Sequence, residues 1–251
     1  VRTPSRFERS AVMSVTVMLP GDPQNPYPLP LYTRISAQAA RQPEVLVAWE
    51  AGARVKLPGG WALDLTGYYN AYSKLTAIRF IGAAPIFAPP VPFPLGIQAD
   101  LQMQGVGKAR TWGIEAVLAG HIKPWWKVEA TWSHFDFKAK DDPLTGAPPN
   151  LLFALEGSPR NQAGLRNALD FGDRVSLDTQ VRYVSSLLGG VIPAYVSGDA
   201  RLTYRPSERF EISLIGENLF QERRSEFTQQ FFQAPIAYTP RTVSVQARVR
   251  F

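Results

Sequence analysis

The segment running to residue 251 constrains this chain more than any other. Val243, Val245, Ala247, Val249 and Phe251 alternate with Ser244, Gln246, Arg248 and Arg250. Side chains on a strand point to opposite faces with period two, so one face here is wholly apolar and the other wholly polar. A soluble sandwich could hide such a face in its core. Several other segments repeat the pattern at lengths suited to crossing a bilayer as a β-strand, about 9–11 residues. The first reading is an all-β, transmembrane antiparallel barrel.

Alternation and its breakers give about nine strands, at residues 43–56, 61–73, 110–122, 125–138, 161–170, 174–185, 194–205, 209–219 and 240–251. Val45, Val47, Trp49, Ala51, Ala53 and Val55 share one face of the first. Leu57-Pro58-Gly59-Gly60 then turns the chain into a strand that presents Trp61, Leu63, Leu65, Gly67 and Tyr69 on its apolar face. Further hairpins turn at Lys123-Pro124, Gly172-Asp173 and Pro206-Ser207-Glu208.

Every other connection is long: residues 1–42, 74–109, 139–160, 186–193 and 220–239. Prolines crowd Pro20 to Pro30 and Pro85 to Pro94, which argues against ladder structure there. Tight turns alternating with long loops are the asymmetry of an outer-membrane barrel, with short turns at the periplasmic rim and long loops outside. Nine strands cannot close such a barrel alone, since open edges in lipid leave backbone groups unsatisfied. Either strands precede Val1 or one sits unrecognised within residues 1–42. No export signal is visible from Val1 onward, so the expectation is a cleaved leader or the carboxyl-terminal piece of a longer protein.

Composition excludes several alternatives. Hydrophobic residues at 45% and charged residues at 19% rule out wholesale disorder. No run of 18 apolar residues exists, so a helical span is not expected. With no cysteine there are no disulfides, thiolate metal sites or thiol nucleophiles. The net charge of +6 is scattered singly along strands instead of gathered in one run, which argues against nucleic acid and for a wet lumen or anionic lipid and lipopolysaccharide headgroups.

Five segments resemble the TonB-dependent outer-membrane receptors. Val1-Arg2-Thr3-Pro4-Ser5-Arg6-Phe7-Glu8-Arg9 is similar to a stretch these receptors carry in mid-barrel, and Pro43-Glu44-Val45 with Trp49-Glu50-Ala51-Gly52-Ala53-Arg54 to their "PE…xxYExGxR" strand. Trp112-Gly113-Ile114-Glu115 resembles the "GxE" strand after a long loop, and Gly216-Glu217-Asn218-Leu219-Phe220 the "NLF" element. Phe251 matches the aromatic end read by the barrel-assembly machinery, so a charge there is expected to impair assembly. The resemblance covers residues 1–251 in the family's order and implies the carboxyl-terminal portion of a 22-stranded barrel in the outer membrane of a Gram-negative bacterium. It implies active import of a scarce ligand, a ferric siderophore being the expected cargo, with coupling to TonB through a plug domain that this chain lacks. A passive porin-like channel and a soluble β-rich binding or adhesion domain stay open as alternatives.

No catalytic constellation is found, so no enzyme activity and no cofactor are expected. His121 and His134 have no carboxylate at ligand spacing and read as interfacial polar residues. Asp141-Asp142 falls short of the roughly six to eight oxygens calcium takes. The ligand-contact candidates lie in loop 220–239: Arg223, Arg224, Phe227, Phe231, Phe232 and Tyr238. Cations suit an anionic metal chelate, and aromatic faces suit its organic shell. Asn218, Leu219 and Phe220 carry the family motif. Glu50, Arg54, Glu115, Glu129, Arg166, Asp178, Arg182, Asp199, Arg201 and Glu217 are expected to form charged ladders on the polar face.

Overall fold

A computed structural model describes every residue except 1, 4, 6–8, 22–24, 26, 39–41, 141–155, 227–236 and 251. Its strands are β1 (Val12–Met18), β2 (Leu31–Ala37), β3 (Val45–Leu57), β4 (Trp61–Ile86), β5 (Gly96–Lys123), β6 (Trp126–Lys140), β7 (Asn161–Phe171), β8 (Val175–Val184), β9 (Tyr195–Ser207), β10 (Phe210–Glu217), β11 (Arg223–Ser225), β12 (Tyr238–Pro240) and β13 (Thr242–Val249). The chain divides into two compact units. The first comprises Val1–Ala48, Asn70–Thr111 and Phe137–Leu155; the second comprises Trp49–Tyr69, Trp112–Asp136 and Glu156–Phe251.

In the second unit, strands pair in the order β3, β4, β5, β6, β7, β8, β9, β10, β13. Antiparallel registers put like faces opposite each other. Leu177 faces Leu202 and Asp178 faces Arg201 between β8 and β9. Leu214 faces Val245 and Ser213 faces Gln246 between β10 and β13. A slip of one residue would send each apolar set to the polar side, so the alternation itself fixes the register. Tight turns use the left-handed backbone that glycine accepts without strain, at Gly59 (φ 76°), Gly60 (φ 79°) and Gly172 (φ 69°).

This unit buries small polar side chains and exposes many large apolar ones, although Val128, Val184, Leu188 and Ile192 are buried as well. Ser176, Ser197, Thr203, Ser213, Asn218 and Arg224 are buried, while Val243, Val245 and Val249 are 65%, 67% and 53% exposed. Leu165, Leu202, Leu214, Trp112 and Trp132 are likewise exposed. Trp61 lies across Gly120 on the apolar face, and Phe220 across Gly198, in places where a Cβ would collide with the ring. Trp125 packs against Trp126 and Phe171 near the tight turns. That position is where aromatic girdles meet the bilayer interface.

The first unit buries an apolar cluster, although Phe80, Ile81, Phe87 and Phe93 are exposed. β1 and β2 form an antiparallel hairpin, and β2 runs parallel to β5 from Leu31 opposite Ile97 to Ala37 opposite Met103. Leu31, Ile35, Ala77, Ala99, Met103 and Ala109 are buried as an apolar core. Arg34 Nε donates to Asp100 Oδ1 at 2.8 Å across the parallel pair. Buried Asn25 closes the hairpin connection, its amide donating to the carbonyls of Met18 and Leu29 and its oxygen accepting from the Tyr27 amide.

The strands depart from expectation in three places, one being that the supposed loop 220–239 carries β11 and the start of β12. Residues 1–42 hold the β1–β2 hairpin, and the supposed loop 74–109 is largely strand, since β4 and β5 run 26 and 28 residues. Only about 9–11 residues are needed to cross a bilayer. The remainder extends past that length; in β5 it keeps the alternation, with Ile97, Ala99, Leu101 and Met103 against Gln98, Asp100, Gln102 and Gln104, so the neighbouring prolines and not the pattern account for the loop expectation. The proline clusters do interrupt the ladder: β1 and β2 flank the first, and β4 ends at Ile86 before β5 begins at Gly96.

Candidate ligand-contact site

The residues expected to meet a ligand follow the end of β10, where the chain breaks at Asn218. Asn218 takes φ 52°, a left-handed conformation asparagine accepts more readily than most residues. Its backbone N–H donates to Asp199 Oδ1 at 2.9 Å, its side-chain amide donates to the Thr239 carbonyl at 3.0 Å, and its Oδ1 accepts from Arg224 Nη1 at 2.8 Å. Leu219 folds onto Gly216 and Phe220 onto Gly198. The motif is thus a chain-reversing staple between β9, β10 and the segment that follows.

Beyond the staple, β11 and β12 pair antiparallel, with Arg223 opposite Pro240 and Ser225 opposite Tyr238. The Arg223 guanidinium stacks over the Tyr238 ring at 5.1 Å, and both side chains are exposed. Arg224 is different, being only 8% exposed. Its guanidinium lies 4.6 Å over the Tyr195 ring and reaches Glu226 Oε1 at 2.8 Å through Nε and 2.6 Å through Nη2. The same Glu226 oxygen accepts from Tyr195 Oη at 3.2 Å and Arg182 Nη2 at 3.4 Å. Phe227, Phe231, Phe232 and Phe251 lie outside the described residues, as does Asp141-Asp142.

Sequence reasoning singled out Arg223, Arg224 and Tyr238 but missed the convergence of Arg182, Tyr195 and Glu226 on Arg224. A signal was available for part of it. Arg182 pairs with Ser197 and Val184 with Tyr195, which makes Arg182 and Tyr195 diagonal neighbours on one face of adjacent strands. Nothing in the sequence placed Glu226 there.

The polar face of the second unit carries the expected charges in a concavity of about 430 Å³ lined by Glu129, Arg166, Asp178, Asp199, Arg201 and Glu217. Some pair across strands: Arg54 with Asp64, and Arg166 with Glu129 at 3.9 Å. Others do different work. Asp199 holds the Asn218 amide, Glu217 accepts from Thr242 Oγ1 at 2.9 Å, and Arg201 reaches Ser213, Gln246 and Glu211. His134 Nδ1 sits 2.9 Å from Asn161 Oδ1, its ring flanked by Trp112 and Trp132. Among the described residues no three His, Cys, Asp or Glu side chains gather as a metal site.

Apolar exterior, polar interior, tight turns and an aromatic band define the wall of a transmembrane β-barrel. The chain belongs to the TonB dependent receptor-like β-barrel family, which matches it over residues 20–219. Barrels of that family sit in the outer membrane of Gram-negative bacteria and serve as transport receptors, not enzymes. No curated protein sequence matches the chain. Among solved structures, the siderophore receptor PirA from Acinetobacter baumannii is similar over 97% of this chain and 37% of its own, at 15% identity and a TM-score of 0.63. The ferric-catecholate import receptor Fiu from K12 E. coli is similar over 85% and 29%, at 19% identity and 0.60. The pyoverdine outer membrane receptor FpvA from Pseudomonas aeruginosa, bound to pyoverdine, is similar over 84% and 30%, at 16% identity and 0.61. The chain therefore spans about a third of the length of the receptors it matches.

Proposed function

We propose that residues 1–251 form the carboxyl-terminal part of the barrel of an outer-membrane receptor that imports a ferric siderophore, energised by TonB through a plug domain. The observation that carries this reading is the exposed apolar face of the second unit together with the family match over residues 20–219. The names of the similar structures, all siderophore or ferric-chelate receptors, support the choice of cargo. Arg223, Arg224, Phe227, Phe231, Phe232 and Tyr238 are proposed to meet the chelate, because cations and aromatic faces suit an anionic complex with an organic shell. Phe251 is proposed as the signal to the barrel-assembly machinery, tested by the outer-membrane level of Phe251→Asp at unchanged synthesis. Lipid and lipopolysaccharide are the proposed surroundings of the apolar face.

The test is uptake of radio-iron presented on a panel of siderophores by cells with and without the intact gene. Loss of uptake for one chelate on deletion, and its equal loss when TonB is removed, is the expected result. Uptake that survives removal of TonB would establish a passive channel instead. Uptake indifferent to the gene for every chelate would end the receptor reading.

A further inference from the structure

Glu226 Oε1 is the shared acceptor of four hydrogen-bond donors from three residues: Nε and Nη2 of Arg224, Nη2 of Arg182 and Oη of Tyr195. Both guanidiniums also lie over the Tyr195 ring, at 4.6 and 5.9 Å, so the same tyrosine contacts both cations and, through its hydroxyl, the carboxylate. Two cations and a phenol around one anionic oxygen exceed what a surface ion pair needs. Arg224 cannot turn away, because its Nη1 is fixed by Asn218, which is itself 2% exposed. Glu226, by contrast, is 41% exposed and belongs to the segment after β11. Arg182 is as exposed as Glu226, so Arg224 is the fixed donor, and Glu226, carried on the connecting segment, is the member a ligand oxygen can replace.

We infer that Arg182, Arg224 and Tyr195 form an oxyanion-binding cradle in which Glu226 stands in for an anionic oxygen of the ligand, such as a carboxylate or a catecholate. The inference rests on the receptor reading above and names the chemistry the site takes: a hard anionic oxygen that competes with the chain's own carboxylate. Specificity follows from that competition. A neutral ligand has nothing to offer the two guanidiniums, and displacing Glu226 would leave them without a counter-charge, so neutral ligands are rejected and anionic ones accepted.

Binding of citrate, a tricarboxylate, to the full-length protein in detergent tests this without transport. Glu226→Gln keeps the shape and removes the competing charge, so citrate affinity is expected to rise about tenfold or more above wild type. Adding Arg182→Ala to that variant is expected to abolish the gain. Glu226→Ala serves equally should Glu226→Gln not show the heat-modifiable migration of a folded barrel. Affinity unchanged or lowered in the folded Glu226 variant, or a gain that survives Arg182→Ala, overturns the cradle. Because citrate binding is read apart from iron uptake, failure of the cradle leaves the receptor reading standing, and loss of the receptor reading leaves the binding result intact.

Discussion

β4 and β5 pass through both units, and the same two strands obey different rules in each. In the second unit Trp61, Leu63, Leu65 and Tyr69 alternate with polar partners, and the exposed surface is apolar. In the first unit Ala77, Ala99, Met103 and Ala109 turn inward to a core shared with Leu31 and Ile35 from the β1–β2 hairpin. Identical backbone geometry thus serves two solvents. Hydrocarbon accepts an apolar exterior and forbids unpaired backbone groups, whereas water demands that apolar area be covered by the protein itself. The difference teaches that the sheet is specified by hydrogen bonding throughout, and the side-chain pattern is specified by what lies outside it.

The largest expected effect comes from placing one charge in each solvent. Val245→Arg puts a guanidinium on the apolar face near the middle of β13, which should cost about 2–4 kcal/mol in a bilayer. Ile81→Arg alters a residue 55% exposed on the β4 extension and should change stability by no more than about 0.5 kcal/mol. Urea unfolding of the full-length protein in lipid vesicles reads both. Equal costs at the two positions would dissolve the distinction between the units.

A smaller effect is expected at the staple, which joins polar burial to chain reversal. Asn218→Ala removes two side-chain hydrogen bonds, strips Arg224 of one partner and puts a Cβ-bearing residue without a compensating amide at φ 52°. A loss of about 2–3 kcal/mol should follow. Asn218→Gly, which relieves the backbone but not the hydrogen bonds, should recover only part of it. Full recovery by glycine would assign the motif to backbone geometry alone.

How much of this was legible follows from the same contrast. All nine strands read from alternation lie on strands of the structure, and the turns at Gly59 and Gly172 were marked by residues that tolerate left-handed backbone. The β1–β2 hairpin was legible only as one unrecognised strand within residues 1–42, and the β5 extension was missed although Ile97, Ala99, Leu101 and Met103 alternate there with Gln98, Asp100, Gln102 and Gln104, because the neighbouring prolines point to a loop. Arg223, Arg224 and Tyr238 were legible as a cationic and aromatic group. The cradle on Glu226 was not, since it is assembled from β8, β9 and the segment after β11, and only the β8–β9 diagonal can be computed from register.

The smallest effect concerns Glu44, which stands just before β3 at the end remote from the tight turn, outside the bilayer-crossing part of the strand. Its carboxylate accepts from Arg2 Nε at 2.8 Å, from the Thr76 amide at 2.9 Å and from Thr76 Oγ1 at 2.6 Å, and Arg2 and Glu44 also exchange backbone hydrogen bonds. The Arg2 guanidinium foremost, helped by Thr76 and opposed by burial, pulls the Glu44 carboxyl down from 4.5 to about 2. A depressed carboxyl stabilises the folded form fully above its unfolded value and loses that contribution as pH falls through the folded one. Protection of the Thr76 amide from hydrogen exchange should therefore hold at pH 5, weaken below about 4.5 and be gone near pH 2. Glu44→Gln should remove the pH dependence and cost about 1–2 kcal/mol at neutral pH, since the guanidinium loses its charged partner while the hydrogen-bonding shape survives. A wild-type profile as flat as that of the variant would mean that this ion pair contributes nothing to holding the Arg2 segment, and that the first-unit side of the comparison rests on packing and backbone pairing without it.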